Sequence, residues 1–135
     1  MIAGTGVDLC SVERMERAAE KETFCRRVFT EEELAYADGR GAGRIRSLAA
    51  MFAAKEAFAK ALGTGVRDLA LTEIAVRHTS LGAPYYLITG QARQRMEERG
   101  ICRLQLSLSH EDGMAIAFCV AEKSEAPAGG GLMRL

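Results

Sequence analysis

The stretch FAAKEAFAKALGTG, Phe52 to Gly65, decides the fold of this chain. Wound as a helix, its Ala, Phe and Leu side chains, with Met51 just before them, cover almost the whole circumference, and a helix of that kind is normally buried. The segment from Ser47 or Leu48 to Leu62 therefore reads as the central helix, with Gly63 as its left-handed cap. Glu56 and Lys60 sit one turn apart in this apolar setting. Either they form an ordinary i, i+4 ion pair on an exposed edge, or a cation compensates the desolvation of Glu56.

Outward from that helix, IAGTGVDL at the N-terminus reads as a strand. Ala3, Thr5, Val7 and Leu9 face one side, and Ile2, Gly4, Gly6 and Asp8 the other. Two glycines on one face leave room for a backbone to come close, right beside a carboxylate. From Ser11 to about Arg27 the period turns helical, and Arg14, Arg17 and Lys21 fall in one basic stripe. Thr30 to Glu33 spells a capping box, so a short helix starts there and ends near Asp38. Asp38 to Ser47 reads as a mobile Gly-rich loop bearing Arg40, Arg44 and Arg46. EIAVRH and YYLITG are strands joined across Gly82 and Pro84, and Gln91 to about Arg99 is a polar helix. Leu104, Leu106 and Leu108 alternate with polar residues in a strand that turns at Asp112-Gly113 into MAIAFCVAE. The tail has no apolar period and is expected to be disordered, giving a domain over 1–122 and a tail over 123–135.

The 135 residues suit one domain, and 48% apolar with 27% charged residues is an ordinary globular composition. Eighteen basic and eighteen acidic residues cancel, so the whole chain has no bias toward nucleic acid. No stretch approaches a membrane span and no secretory signal opens the chain, so the expected place is the cytoplasm, without nucleic acid or membrane as partner. Four scattered cysteines and two histidines do not make a zinc site, and reduced thiols are expected.

If Asp8 and Glu56 share one cation, hard oxygen ligands without a His or Cys cluster suit Mg²⁺, which also takes oxygens from phosphates. Lys60, the basic loop and the amides of Gly63-Thr64-Gly65 could receive those phosphates, although Gly63 serves equally well as a plain cap. His110 at a strand end is a candidate base.

Taken in order, these pieces match a family. Gly4-Thr-Gly-Val-Asp8 with Arg14, Phe52-Ala-Ala-Lys-Glu-Ala57 with Lys60 and Gly63-Thr64-Gly65, Gly82-Ala-Pro84, and Ser107-Leu-Ser-His110 with Ala115 and Ala117 together resemble the small bacterial holo-acyl-carrier-protein synthases. The resemblance spans Met1 to about Glu122. It implies an α+β fold of the 4'-phosphopantetheinyl transferase type, with a curved, mainly antiparallel sheet packed on the long buried helix. The implied activity moves the phosphopantetheine arm of coenzyme A to a serine of apo acyl carrier protein in fatty acid or polyketide biosynthesis, releasing adenosine 3',5'-bisphosphate. It also implies Mg²⁺ on Asp8 and Glu56, Lys60 near the phosphates, coenzyme A contacts by Gly63, Thr64, Gly65, Pro84 and His110, and a homotrimer with sites between subunits. Arg14 would meet the acidic carrier, and spacing adds Arg17 and Lys21. One departure stands out: the family's usual Arg before the motif's Phe or Trp is Met51 here, so its phosphate contact is lost or moved to Arg44 or Arg46. Another enzyme of coenzyme A or nucleotide diphosphates, such as a hydrolase, would use the same carboxylates. A non-catalytic module docking an acidic protein would not need them.

Overall fold

The computed structural model describes residues 1–125. Strand β1 (Ile2–Ser11) leads into helices α1 (Val12–Ala18), α2 (Glu22–Val28) and α3 (Glu31–Asp38), then the long α4 (Arg44–Leu62). The hairpin β2 (Ile74–His78) and β3 (Pro84–Ile88), helix α5 (Gly90–Glu98), and strands β4 (Ile101–Glu111) and β5 (Met114–Lys123) complete the chain. β1, β5 and β4 form an antiparallel sheet in that order, while β2 and β3 pair separately. The expected α+β architecture is present, with its strands divided between two sheets.

α4 is the core. Met51, Ala53, Ala54, Ala57 and Phe58 are at most 1% exposed, and Ala115, Ala117, Cys119 and Ala121 of β5 lie buried with them. The glycines of β1 explain how the helix comes so close. A Cβ on Gly4 would collide with the Ala61 carbonyl, and one on Gly6 with that of Ala57. Backbone packs on backbone there, as glycine permits.

Several boundaries differ from the expectation. The single helix from Ser11 to Arg27 is two helices, because Glu20 and Lys21 donate to Arg17 and Ala18 in a tightened last turn. The break lets α2 turn Phe24 onto Phe29 and Phe52. Lys21 consequently caps α2 and does not continue the α1 stripe. α4 begins at Arg44, so half of the expected loop is helical, and a short 3₁₀ turn precedes it. The capping box forms: Thr30 Oγ1 accepts from Glu33 N, and Glu33 accepts from Thr30 N. Asp112 and Gly113 both adopt positive φ, as a two-residue hairpin requires. β5 runs one residue past the expected domain end, and most of the expected tail lies outside the described residues. The four thiols are free.

Candidate active site

Asp8 lies on the face of β1 turned toward α4, two residues after Gly6. Because the helix sits so close, Lys60 reaches across and donates to Asp8 (3.0 Å) and to the Val7 carbonyl (3.0 Å). Lys60 is thus committed to the strand rather than to its helical neighbour Glu56, against the ion-pair reading. Glu56 stands one turn earlier, half-buried. Burial first, and then the Asp8 carboxylate, push its pKa above the usual carboxylate range, with Lys60 opposing. Two carboxylates and an ammonium therefore share one patch. Cys10 joins it from the same face of β1, its thiol pushed up by burial and by Asp8. Strand periodicity could have signalled Cys10, because it is two residues beyond Asp8.

Beside this patch opens an apolar cleft lined by Cys10, Arg14, Met15, Phe24 and Phe52. Arg14 is exposed at its rim, whereas Arg17 pairs with Glu13 at 3.0 Å. Phe24 carried no signal in the sequence; the break between α1 and α2 brings it here.

His110 lies elsewhere. In the register, Asp8 opposes Ala117 and Ala117 opposes Leu108, while Cys10, Ala115 and His110 form the next matched row. His110 thus shares the α4 face of the sheet with Asp8, but two strand spacings, roughly 10 Å, separate their strands. Its pocket is bordered by Arg46, Ser47, Met51 and Ser109 at the other flank of α4. Arg40 of the basic loop also lines this pocket, with Tyr36 and His78, neither of which was singled out by sequence. Tyr36 stacks on His78 with ring centroids 3.8 Å apart. Met51 is buried, and Arg44 donates to Asp38 at 2.8 Å, leaving Arg46 as the one of the two arginines that borders the Met51 pocket. Pro84 opens β3 opposite His78.

The Gly63 loop is mainly a cap. Gly63 has φ +85°, and the amides of Gly63, Thr64 and Gly65 all donate to the Ala59 carbonyl. The Thr64 hydroxyl is turned inward as well, donating to the Gly65 carbonyl at 3.2 Å.

Lys55, next to Glu56, has a separate task. Its ammonium is fully buried and donates to Glu33, Leu71 O and Ile74 O, each at 2.9 Å. Glu33 in turn accepts from Thr30 N and Val76 N.

Residues 4–119 match the 4'-phosphopantetheinyl transferase superfamily. The chain belongs to that superfamily. Among transferases of this family, the holo-[acyl-carrier-protein] synthase of Treponema denticola is 41% identical over 122 residues, covering 90% of this chain and 99% of its own. The crystal structure of the Neisseria meningitidis synthase superposes with a TM-score of 0.81 at 42% identity, covering 91% of this chain and 100% of that one. The Helicobacter pylori synthase, solved in complex with coenzyme A, gives 0.76 at 29% identity over 87% of this chain and 99% of its own.

Proposed function

We propose that this transferase is a holo-[acyl-carrier-protein] synthase: it moves phosphopantetheine from coenzyme A to a serine of an apo acyl carrier protein in the cytoplasm, for fatty acid or polyketide synthesis. The observation that carries the reading is the shared patch of Asp8, Glu56 and Lys60 in a chain of this family. Two hard carboxylates with the raised Glu56 pKa fit Mg²⁺, which completes its shell with water and phosphate oxygens. Asp8 and Glu56 would hold the ion, and the ion would supply positive charge to the diphosphate.

Lys60 stays anchored to Val7 O and Asp8 and offers its remaining positive charge to the leaving bisphosphate. The acceptor serine attacks the phosphorus bearing the pantetheine arm and loses a proton, for which Glu56 and His110 are the two available side chains. The Thr64 loop, Pro84 and His110 would contact coenzyme A. Arg14, exposed at the rim, would draw the acidic carrier to the cleft beside Phe24 and Phe52, with Arg17, paired with Glu13, and Lys21, off the α1 stripe, adding less.

Two features support the reading of a homotrimer. Asp8 and His110 occupy opposite flanks of α4, so a site using both is most simply built from neighbouring copies. The sheet face away from α4 exposes Val7, Leu9, Met114 and Phe118, an apolar patch that suits burial against another copy. Light scattering at monomer mass would overturn this part.

The deciding experiment mixes the protein with coenzyme A, Mg²⁺ and several apo carriers, and follows the carriers by mass spectrometry. Gain of one phosphopantetheine, with adenosine 3',5'-bisphosphate released, is the expected result. Consumption of coenzyme A without a carrier would point to a hydrolase instead.

A further inference from the structure

Helix α5 brackets the loop that follows α4. At its N-terminal end the Glu73 carboxylate accepts from the Gln91 and Ala92 amides at 3.1 and 3.3 Å, and Thr89 N donates to Glu73 O. Midway, Arg95 faces Asp68 at 3.9 Å. Just past its C-terminal end the Arg99 guanidinium lies over Gly63, where a Cβ would come within 3.0 Å of Nη1. Buried Ala92 and partly buried Met96 fix α5 to the core, so Arg99 is presented from a firm platform.

Gly63 ends α4, and the carbonyl end of a helix carries partial negative charge. The turn there is weakly held by its own bonds. The Ala59 carbonyl receives the amides of Gly63, Thr64 and Gly65 at 3.1, 3.3 and 3.2 Å, three donors on an oxygen with two lone pairs. A cation set against that end supplies what the hydrogen bonds lack. Arg93 and Arg95 of α5 pair with Glu97 and Asp68, whereas Arg99 has no carboxylate at ion-pair distance among the described residues. Its charge is therefore directed at the α4 terminus.

Glu56, Lys60 and, past the helix end, Thr64 follow one another at four-residue steps, so this turn continues the stripe that carries the patch. We infer that Arg99 is a positioning residue for the transfer: it holds the Gly63–Gly65 turn ordered from α5, so that coenzyme A need not order it on binding, an inference that rests on the coenzyme A reading above. Arg99 acts through the turn and not by touching the donor.

Residue-resolved hydrogen exchange of the ligand-free protein tests the turn directly. In Arg99→Ala the amides of Gly63, Thr64 and Gly65 should exchange roughly fivefold faster, the size expected when a helix end loses a complementary charge. Arg99→Glu should quicken them further, and Arg99→Lys should restore part of the protection. Arg93→Ala, which removes the same charge from the same helix, should leave them at the parent rate. In turnover, Arg99→Ala should raise KM for coenzyme A by a similar factor, with kcat, KM for the carrier and the melting temperature close to the parent's. Unchanged exchange at the three amides would overturn the assignment. So would faster exchange throughout α4 with a lowered melting temperature, the mark of a purely structural arginine, or a fall in kcat as large as the rise in KM. If the amides respond as stated but no carrier is modified, the hold of Arg99 on the turn stands and the transferase reading falls. If carriers are modified and the amides do not respond, the positioning role alone falls.

Discussion

Lys55 and Lys60 stand five positions apart on the same helix, each bonded to a carboxylate, yet they work in opposite ways. Lys55 and Glu33 are wholly buried, and every ammonium proton has an acceptor. Lys60 is 54% exposed, its Asp8 partner accepts it at the surface, and Glu56 beside them is left without an ion pair among the described residues. The first arrangement is closed and holds α3 and the start of β2 against α4. The second is open, with acceptor oxygens still facing a possible ligand. A charged pair signals stability when its donors and acceptors are exhausted, and chemistry when they are not.

The largest effect should come from opening the closed pair. Lys55→Met strands the Glu33 carboxylate in the core and should cost about 3 to 5 kcal/mol in denaturant unfolding. The double variant Lys55→Met with Glu33→Leu should recover a substantial part of that loss, since no lone charge remains. A loss as large in the double variant would show that the backbone contacts to Leu71 and Ile74 dominate.

The open patch should respond in activity instead. Asp8→Asn and Glu56→Gln should each lower kcat roughly a hundredfold or more while unfolding at a stability close to the parent's. Retention of full rate across an Mg²⁺ titration by either variant would remove that residue from the metal site. Lys60→Met, which leaves the carboxylates in place, should lower kcat by roughly tenfold, with little change in melting temperature.

The smallest and most diagnostic effect concerns pH. The folded chain holds the Glu56 pKa above its unfolded value, so protonated Glu56 is the form that folding favours. Its contribution is complete below the unfolded value and is lost as pH rises through the folded one. Glu56→Gln escapes that loss. In metal-free buffer it should therefore melt above the parent at neutral pH, with the gap closing below about pH 4. A gap that persists in acid would mean that Gln packs better for reasons unrelated to charge.

Much of this contrast was legible in the residues. The apolar circumference of α4, the alternation in β1, the capping box and the Asp-Gly turn are local signals, and all four elements form. Glu56 and Asp8 stood out because a carboxylate among small apolar residues asks for a partner. What stayed hidden depends on partners distant in sequence. Nothing near Lys55 announces Glu33, 22 residues earlier, and the pairing of Lys60 with Asp8 spans 52 residues. The break at Glu20 and Lys21 also lacks any local breaker; it serves the packing of Phe24 on Phe52. The stack of Tyr36 on His78 joins α3 to β2, which no periodicity could have joined.

The missing side chain of Gly6 has a further consequence. By letting the Ala57 carbonyl settle against β1, it sets the span that the Lys60 side chain must bridge to reach Val7 O and Asp8. Gly6 acts as a gauge block between helix and strand, fixing the patch's dimensions without touching a ligand. Gly6→Ala would lift α4 from the strand and widen that gap, so a residue with no chemistry of its own sets the tolerance within which the chemistry is done.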